Sequence, residues 1–327
     1  MSARRAGCAA VVLQDRRMLV IGGYDENGIV KGLLSSCEAF DPKTQQWDVS
    51  IQKLSRARWG HGCACLNDLV YVVGGCSLRP GAPPRESFME TLKSCEIYDA
   101  STNKWRESAE LQMARAGSRV VALGSRHLAA VGGCDDVFGR AEMLPTVELF
   151  DIETGRWSLL DTTLSTPRTT AAVAALDDRK VLVVGGAPCL SSIEVFSIPD
   201  KDAGQADASC LQPRLPVPSL QEVSEGRMGC QAVTMQLPAT GDNFPLCTRP
   251  CVVVVGGENG DEEVESDTAQ VRQFATALVY DVEAADWLPG VAVPAMSAPR
   301  TAMALCVGYG RIRGCPSTDR AVPRGGC

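Results

Sequence analysis

"CEAFDPKTQQW", from Cys37 to Trp47, returns as "CEIYDASTNKW" from Cys95 to Trp105 and as "VELFDIETGRW" from Val147 to Trp157. The acid, the aromatic, the Asp and the Trp hold their places across the three copies. Each copy reads as a short apolar strand, a polar turn led by Asp, and a second strand opened by Trp, which is a β-hairpin. Self-similarity at a fixed spacing is the signature of a repeat architecture, so the neighbouring sequence should repeat as well.

It does. Upstream of each hairpin a β-rich run ends in a glycine pair: "MLVIGG", "VYVVGG", "LAAVGG", "VLVVGG" and "VVVVGG", with the pairs at Gly22-Gly23, Gly74-Gly75, Gly132-Gly133, Gly185-Gly186 and Gly256-Gly257. The intervals of 52, 58, 53 and 71 residues match a repeat of about 50. Before each run stands a small-residue stretch that begins with Arg: "RAGCAAVVL", "RWGHGCACL", "RAGSRVVAL", "RTTAAVAAL" and "RMGCQAVTM". A repeat therefore supplies four antiparallel strands: A (Arg-led), B (closed by Gly-Gly), C (Glu, aromatic, Asp) and D (Trp). A four-stranded sheet cannot bury both faces alone, and sheets packed radially about an axis bury them against one another. The expected fold is an all-β propeller. Ala, Gly, Ser and Cys in strand A suit the crowded axis; Trp47, Trp105, Trp157 and Trp287, with the strand C aromatics, suit the outer region where blades diverge.

Double glycine, Glu-x-Tyr/Phe-Asp and a spaced Trp, in that order, resemble the kelch repeat family over residues 4–308. The resemblance implies a kelch-type propeller, usually of six or seven blades, that serves mostly as a binding platform and in a minority of cases as an enzyme. The expected blades are 4–54, 55–111, 112–164, 165–224 and 225–294, five complete four-stranded units. A partial sixth follows at 295–311, and 312–327 is a tail outside the pattern. Two repeats deviate. The fourth has Ser197 for Asp and lacks the Trp, and the fifth has Leu278 for Glu. "IRGCPSTDRAVPRGGC" shows no strand B after the sixth Arg-led run. The abrupt departure reads as a shortened form of a longer propeller, with strand edges exposed.

A net charge of −7 argues against nucleic acid, and no apolar run reaches the length of a membrane helix. The basic, apolar N-terminus runs straight into strand A and reads as a strand, so the expected compartment is cytosolic or nuclear. The 15 cysteines recur at equivalent repeat positions, as small buried hydrophobes would. Cys63 and Cys65 lack a second pair at zinc spacing.

Candidate binding residues are Arg5, Arg58, Arg115, Arg168, Arg227 and Arg300, which should ring the channel mouth on the face of the B–C loops and D–A connections. They could cradle carboxylates, or pair with Glu38, Glu96, Glu148 and Glu194 and tie blades together, the reading favoured for a residue that recurs with a repeat. His61 and His127 fall on opposite faces and cannot share a metal. Asp135-Asp136 and the acidic run Asp261–Asp267 read as solvated loop. No cofactor, metal or catalytic constellation is expected. The expected function is a non-enzymatic interaction module that binds another protein, through an acidic segment, on its long-loop face. A substrate-recognition subunit of a ubiquitin ligase and a sugar-acid epimerase-like enzyme are the alternatives.

Overall fold

The computed structural model describes residues 1–137, 142–188, 190–199, 223, 225–238, 248–259, 272–288, 296–298, 305–308 and 311–314. Arg300, the acidic run 261–267 and nearly all of the insertion 200–226 lie outside them.

Blade 1 is built from β1 (Ala9–Val12), β2 (Met18–Ile21), β3 (Cys37–Asp41) and β4 (Gln46–Asp48), with the short helix α1 (Gly28–Lys31) in its B–C loop. Blade 2 holds β5 (Gly62–Leu66) and β6 (Leu69–Val73), then a loop ribbon of β7 (Cys76–Leu78) and β8 (Met89–Thr91), then β9 (Cys95–Asp99) and β10 (Lys104–Ser108). Blade 3 comprises β11 (Arg119–Leu123), β12 (His127–Val131), β13 (Thr146–Asp151) and β14 (Arg156–Thr163). Blade 4 has β15 (Ala172–Ala175), β16 (Lys180–Val184) and β17 (Ile193–Ser197). Blade 5 has β18 (Gln231–Pro238) and β19 (Thr248–Val255), a ribbon of β20 (Glu258–Asn259) and β21 (Arg272–Gln273), then β22 (Ala277–Asp281) and β23 (Asp286–Trp287). Every pairing is antiparallel. Blade 4 has three strands among the described residues, and the stretch expected to carry its fourth lies outside them. Its C–D hairpin is the one without the Asp and the Trp.

The sixth repeat differs from expectation. β24 (Leu305–Gly308), in the partial sixth repeat, pairs with β25 (Arg311–Gly314), so residues 312–314, placed in a tail outside the pattern, belong to the second strand of a hairpin. β24 contacts both β18 and β1, while β1, β5, β11, β15 and β18 meet in sequence. The inner strands therefore close a ring of six.

The opening motif is a C–D hairpin in each blade that has it. Its aromatic and Trp sit directly opposite one another, as Phe40–Trp47, Tyr98–Trp105, Phe150–Trp157 and Tyr280–Trp287, with ring centroids 5.0 to 5.5 Å apart. Such cross-strand aromatic pairs hold a hairpin in register. The Asp leads the turn: Oδ1 of Asp41, Asp99, Asp151 and Asp281 accepts the backbone N–H two residues on.

The core lies between blades. Val70, Val72 and Tyr98 of blade 2 pack with Leu19, Ile21 and Ala39 of blade 1, and Phe150 and Trp157 of blade 3 pack with Tyr71, Val73 and Ile97 of blade 2. Each fully buried Val or Leu contributes about 1.5–3 kcal/mol relative to exposure. None of the described cysteines is in a disulfide. Burial pushes the Cys37 and Cys95 thiols up to about 12, as fits their place inside the sheets.

The glycine pair leaves no room for a side chain. Gly75 has φ +94°, and a Cβ there would lie 2.7 Å from Trp59 O and 2.9 Å from His61 Cβ. Gly81, in the loop of the same blade, has φ +72° and open space where its Cβ would be. Both Ala variants carry the left-handed strain of roughly 1 kcal/mol, but only Gly75→Ala adds the clash. Urea unfolding should show Gly81→Ala close to that cost and Gly75→Ala several-fold worse; equal midpoints would contradict the packing.

Candidate functional site

The B–C loops and the D–A connections meet on one face, joined by Leu54 N to Ser35 O, Leu111 N to Lys93 O and Leu164 N to Pro145 O. Just inside this face sit the Arg-led strand starts. Arg5, Arg58, Arg115, Arg168 and Arg227 are each at most 3% exposed. Arg5 donates to Glu38 Oε1 at 2.6 Å, Arg58 to Glu96 Oε1 at 2.8 Å, Arg115 to Glu148 Oε1 at 2.9 Å, and Arg168 to Glu194 Oε1. In each case Nη1 also donates to the carbonyl of the first glycine of the pair, Gly22, Gly74, Gly132 or Gly185. The other glutamate oxygen accepts a backbone N–H from the incoming D–A connection, at Ser2, Ser55, Gln112 or Ser165.

Burial draws the guanidiniums of Arg58, Arg115 and Arg168 below their ordinary range, and their glutamates oppose it. Burial would raise Glu38, but the hydrogen bonds from Arg5 and Ser2 overcome it and hold the carboxyl below the usual range. These side chains tie strands A, B and C of their own blade and are not exposed as a cradle for a partner. In blade 5, where Leu278 replaces the glutamate, Arg227 instead donates to Gly256 O and Thr276 Oγ1 and lies 4.1 Å from the Phe274 ring centroid. Arg300 lies outside the described residues.

The backbone of the same arginines ties blades together. The second glycine of each pair donates its N–H to the arginine carbonyl of the next blade: Gly23 to Arg58, Gly75 to Arg115, Gly133 to Arg168 and Gly186 to Arg227. Two residues beyond each Arg, a further chain of bonds circles the mouth, from Gly60 N to Gly7 O, Gly117 N to Gly60 O, Thr170 N to Gly117 O and Gly229 N to Thr170 O. All five of these residues have positive φ, and Thr170 is the β-branched exception in a position that favours glycine.

Two features were not legible in the sequence. Arg119, the fifth residue of the stretch that Arg115 opens and outside the repeating Arg position, donates to Ala171 O in blade 4 and Cys230 O in blade 5. A groove of about 660 Å³ runs between blades 1 and 2 on the long-loop face. Val30, Leu33, Leu78, Pro80 and Pro84 form its walls, over Ser55, Arg56 and Ser77. Arg56 is held in place by Ser77 Oγ and Glu90.

His61 precedes β5 on the long-loop side and His127 opens β12 at the other end of its blade. His61 is 2% exposed, with the Ile21 backbone as its hydrogen-bonding neighbour. Burial, aided by the charge of Arg58, pulls it down to about 3. Among the described residues no three His, Cys, Asp or Glu side chains are grouped to hold a metal, and no helix is long and apolar enough to cross a membrane.

With this geometry in view, the profile of the KLHDC2/KLHL20/DRC7 Kelch-repeats domain matches residues 1–186. The chain belongs to the kelch-repeat family. Kelch-like protein 26 of Danio rerio is 28% identical over 53% of the chain and 26% of its own length. Kelch-like protein 25 of Xenopus tropicalis is 32% identical over 52% and 27%, and Beta-scruin of Limulus polyphemus is 27% identical over 45% and 15%. The chain thus matches about a quarter or less of these relatives' length. The solved structure of YjhT superposes with a TM-score of 0.68 over 94% of this kelch chain and 89% of its own, at 13% identity, a likeness of fold.

The buried pairs should behave as fasteners. Glu148→Leu leaves Arg115 buried without its counter-charge and should cost about 3–5 kcal/mol. Arg115→Met with Glu148→Leu should cost less than the two single changes summed. Arg227→Met should cost less than Arg115→Met, since Arg227 has no glutamate. Urea midpoints of the four variants check this.

His61 sets an acid limit. The folded protein holds it neutral to about pH 3, whereas the unfolded chain protonates near pH 6.5. Its contribution to stability is therefore complete above pH 6.5 and is lost as pH falls towards 3. Stability in that window should decline about 1.4 kcal/mol per pH unit more steeply in the wild type than in His61→Gln, a difference that denaturant titrations at several pH values would measure.

Proposed function

We propose that this kelch protein is a non-enzymatic interaction module that binds a partner protein on the face shared by its B–C loops and D–A connections. The observation that carries the reading is the groove between blades 1 and 2. Its apolar walls come from two loops, α1 with Leu33 on one side and the β7–β8 ribbon with its prolines on the other. The strands beneath are locked by buried ion pairs, so variable loops stand on a rigid base, an arrangement common at binding surfaces.

The rim favours an acidic segment. Lys31 and Arg85 stand exposed around the groove, with Arg79 beside Glu90 at 3.6 Å and the exposed Glu26 and Glu86 in the same loops, in a chain of net charge −7. Local attraction would act there against the mean field and confine an acidic partner to this part of the face. Membership of the kelch family and likeness to the Kelch-like proteins support an interaction role.

The test needs variants that spare the fold. Leu33 and Leu78 are half-buried in the groove wall, whereas Leu159, on outer strand β14 of blade 3, is 46% exposed and does not line it. Leu33→Glu and Leu78→Glu should lower affinity for a captured partner by on the order of tenfold or more, with melting temperatures near wild type, and Leu159→Glu should leave affinity unchanged. Equal affinity in all three variants would remove the groove from the interface.

A further inference from the structure

Arg119 opens β11 in blade 3 but spends its side chain elsewhere. Nε donates to Ala171 O of blade 4 at 3.1 Å and Nη2 to Cys230 O of blade 5 at 3.4 Å. Blades 3 and 5 are not neighbours. One side chain can touch both only where the inner strands converge, so the guanidinium lies across the central channel. Its depth follows from the residues it meets. Ala171 and Cys230 come directly after Thr170 and Gly229 of the hydrogen-bonded ring at the mouth, which places the charge just beneath that ring, at the end that opens on the long-loop face.

The contrast with the other inner arginines is chemical. Arg5, Arg58, Arg115 and Arg168 each have a glutamate. Among the described residues no carboxylate lies within ion-pair distance of Arg119, and its Nη1 donates to no protein atom. The side chain is partly exposed, hence reachable from the channel. Burial draws the guanidinium below its ordinary range, yet an arginine stays charged throughout the working range. Cys230 offers no counter-charge, because burial pushes its thiol up and keeps it protonated. A desolvated cation held by two neutral carbonyls is costly without an opposite charge, and its remaining N–H donors suit a two-oxygen acceptor.

We propose that Arg119 forms an anion site just inside the long-loop mouth of the channel, which takes one small carboxylate. The site is distinct from the groove between blades 1 and 2, and neither depends on the other. The carboxylate can belong to a free acid or to an acidic side chain of a partner.

Thermal melts at constant ionic strength, with sodium formate replacing sodium chloride, test it. The wild-type melting temperature should rise with formate and saturate. Arg119→Lys keeps the charge but loses the planar fork, and its formate affinity should fall by on the order of tenfold. Arg119→Gln should show no saturable shift, and a cooperative melt in chloride would establish that it folds. A wild type that responds no better to formate than to chloride, or an Arg119→Gln that responds as the wild type does, overturns the site. If Arg119→Gln does not fold, the wild type and Arg119→Lys decide. Adding a short peptide blocked at both ends, with one aspartate, separates the sources. Competition with formate assigns the site to a partner's side chain, and its absence assigns it to a free acid.

Discussion

The double glycine is where each blade is fastened to itself and to the next. The carbonyl of the first glycine accepts Nη1 of the blade's own arginine, and the N–H of the second donates to the arginine carbonyl of the following blade. At Gly74 and Gly75 φ is +65° and +94°, values at which a side chain is strained and, here, has no space. The arginine can be buried because three kinds of acceptor meet it together: a glutamate from strand C, the glycine carbonyl and a Ser or Thr hydroxyl. A buried ion pair seldom adds much stability over an apolar substitute. Its value in this fold is positional, since one guanidinium sets the spacing of strands A, B and C at the end where the B–C loops leave the sheet.

The C–D hairpin does the corresponding work at the outside of the blade. Its Asp holds the turn, its Trp faces the strand C aromatic, and that aromatic packs back onto the preceding blade, as Tyr98 does on Leu19 and Ile21. Blade 4, without the Asp and the Trp, has three strands among the described residues, and it is also where the chain carries its longest departure from the repeat.

With both ends of the blade fixed, the loops are free to vary. The groove arises where two of them, the α1 loop and the β7–β8 ribbon, diverge above the junction of blades 1 and 2. The Arg119 site arises on the axis, from a side chain that ignores its own blade. The groove and the axial charge are thus two separate features of the same face, one a matter of shape and apolar contact and the other of charge.

The sequence by itself determined the repeat, the strand order within a blade, the inward and outward residues and the pairing of Arg with Glu, because each rests on contacts within one repeat of about 50 residues and is written again in every copy. It also marked the fifth blade's missing glutamate at Leu278, though not that Phe274 would face Arg227 instead. Tertiary structure alone decided the rest. The ring closes through β24 of the partial sixth repeat, and β25 pairs with it where the pattern had stopped, because backbone pairing needs no motif. The arginines act within blades by side chain and between blades by carbonyl, a division no residue spacing shows. The groove between blades 1 and 2 and the reach of Arg119 to Cys230 join residues whose separation in sequence carries no period, and a feature that occurs once leaves no repeat by which to read it.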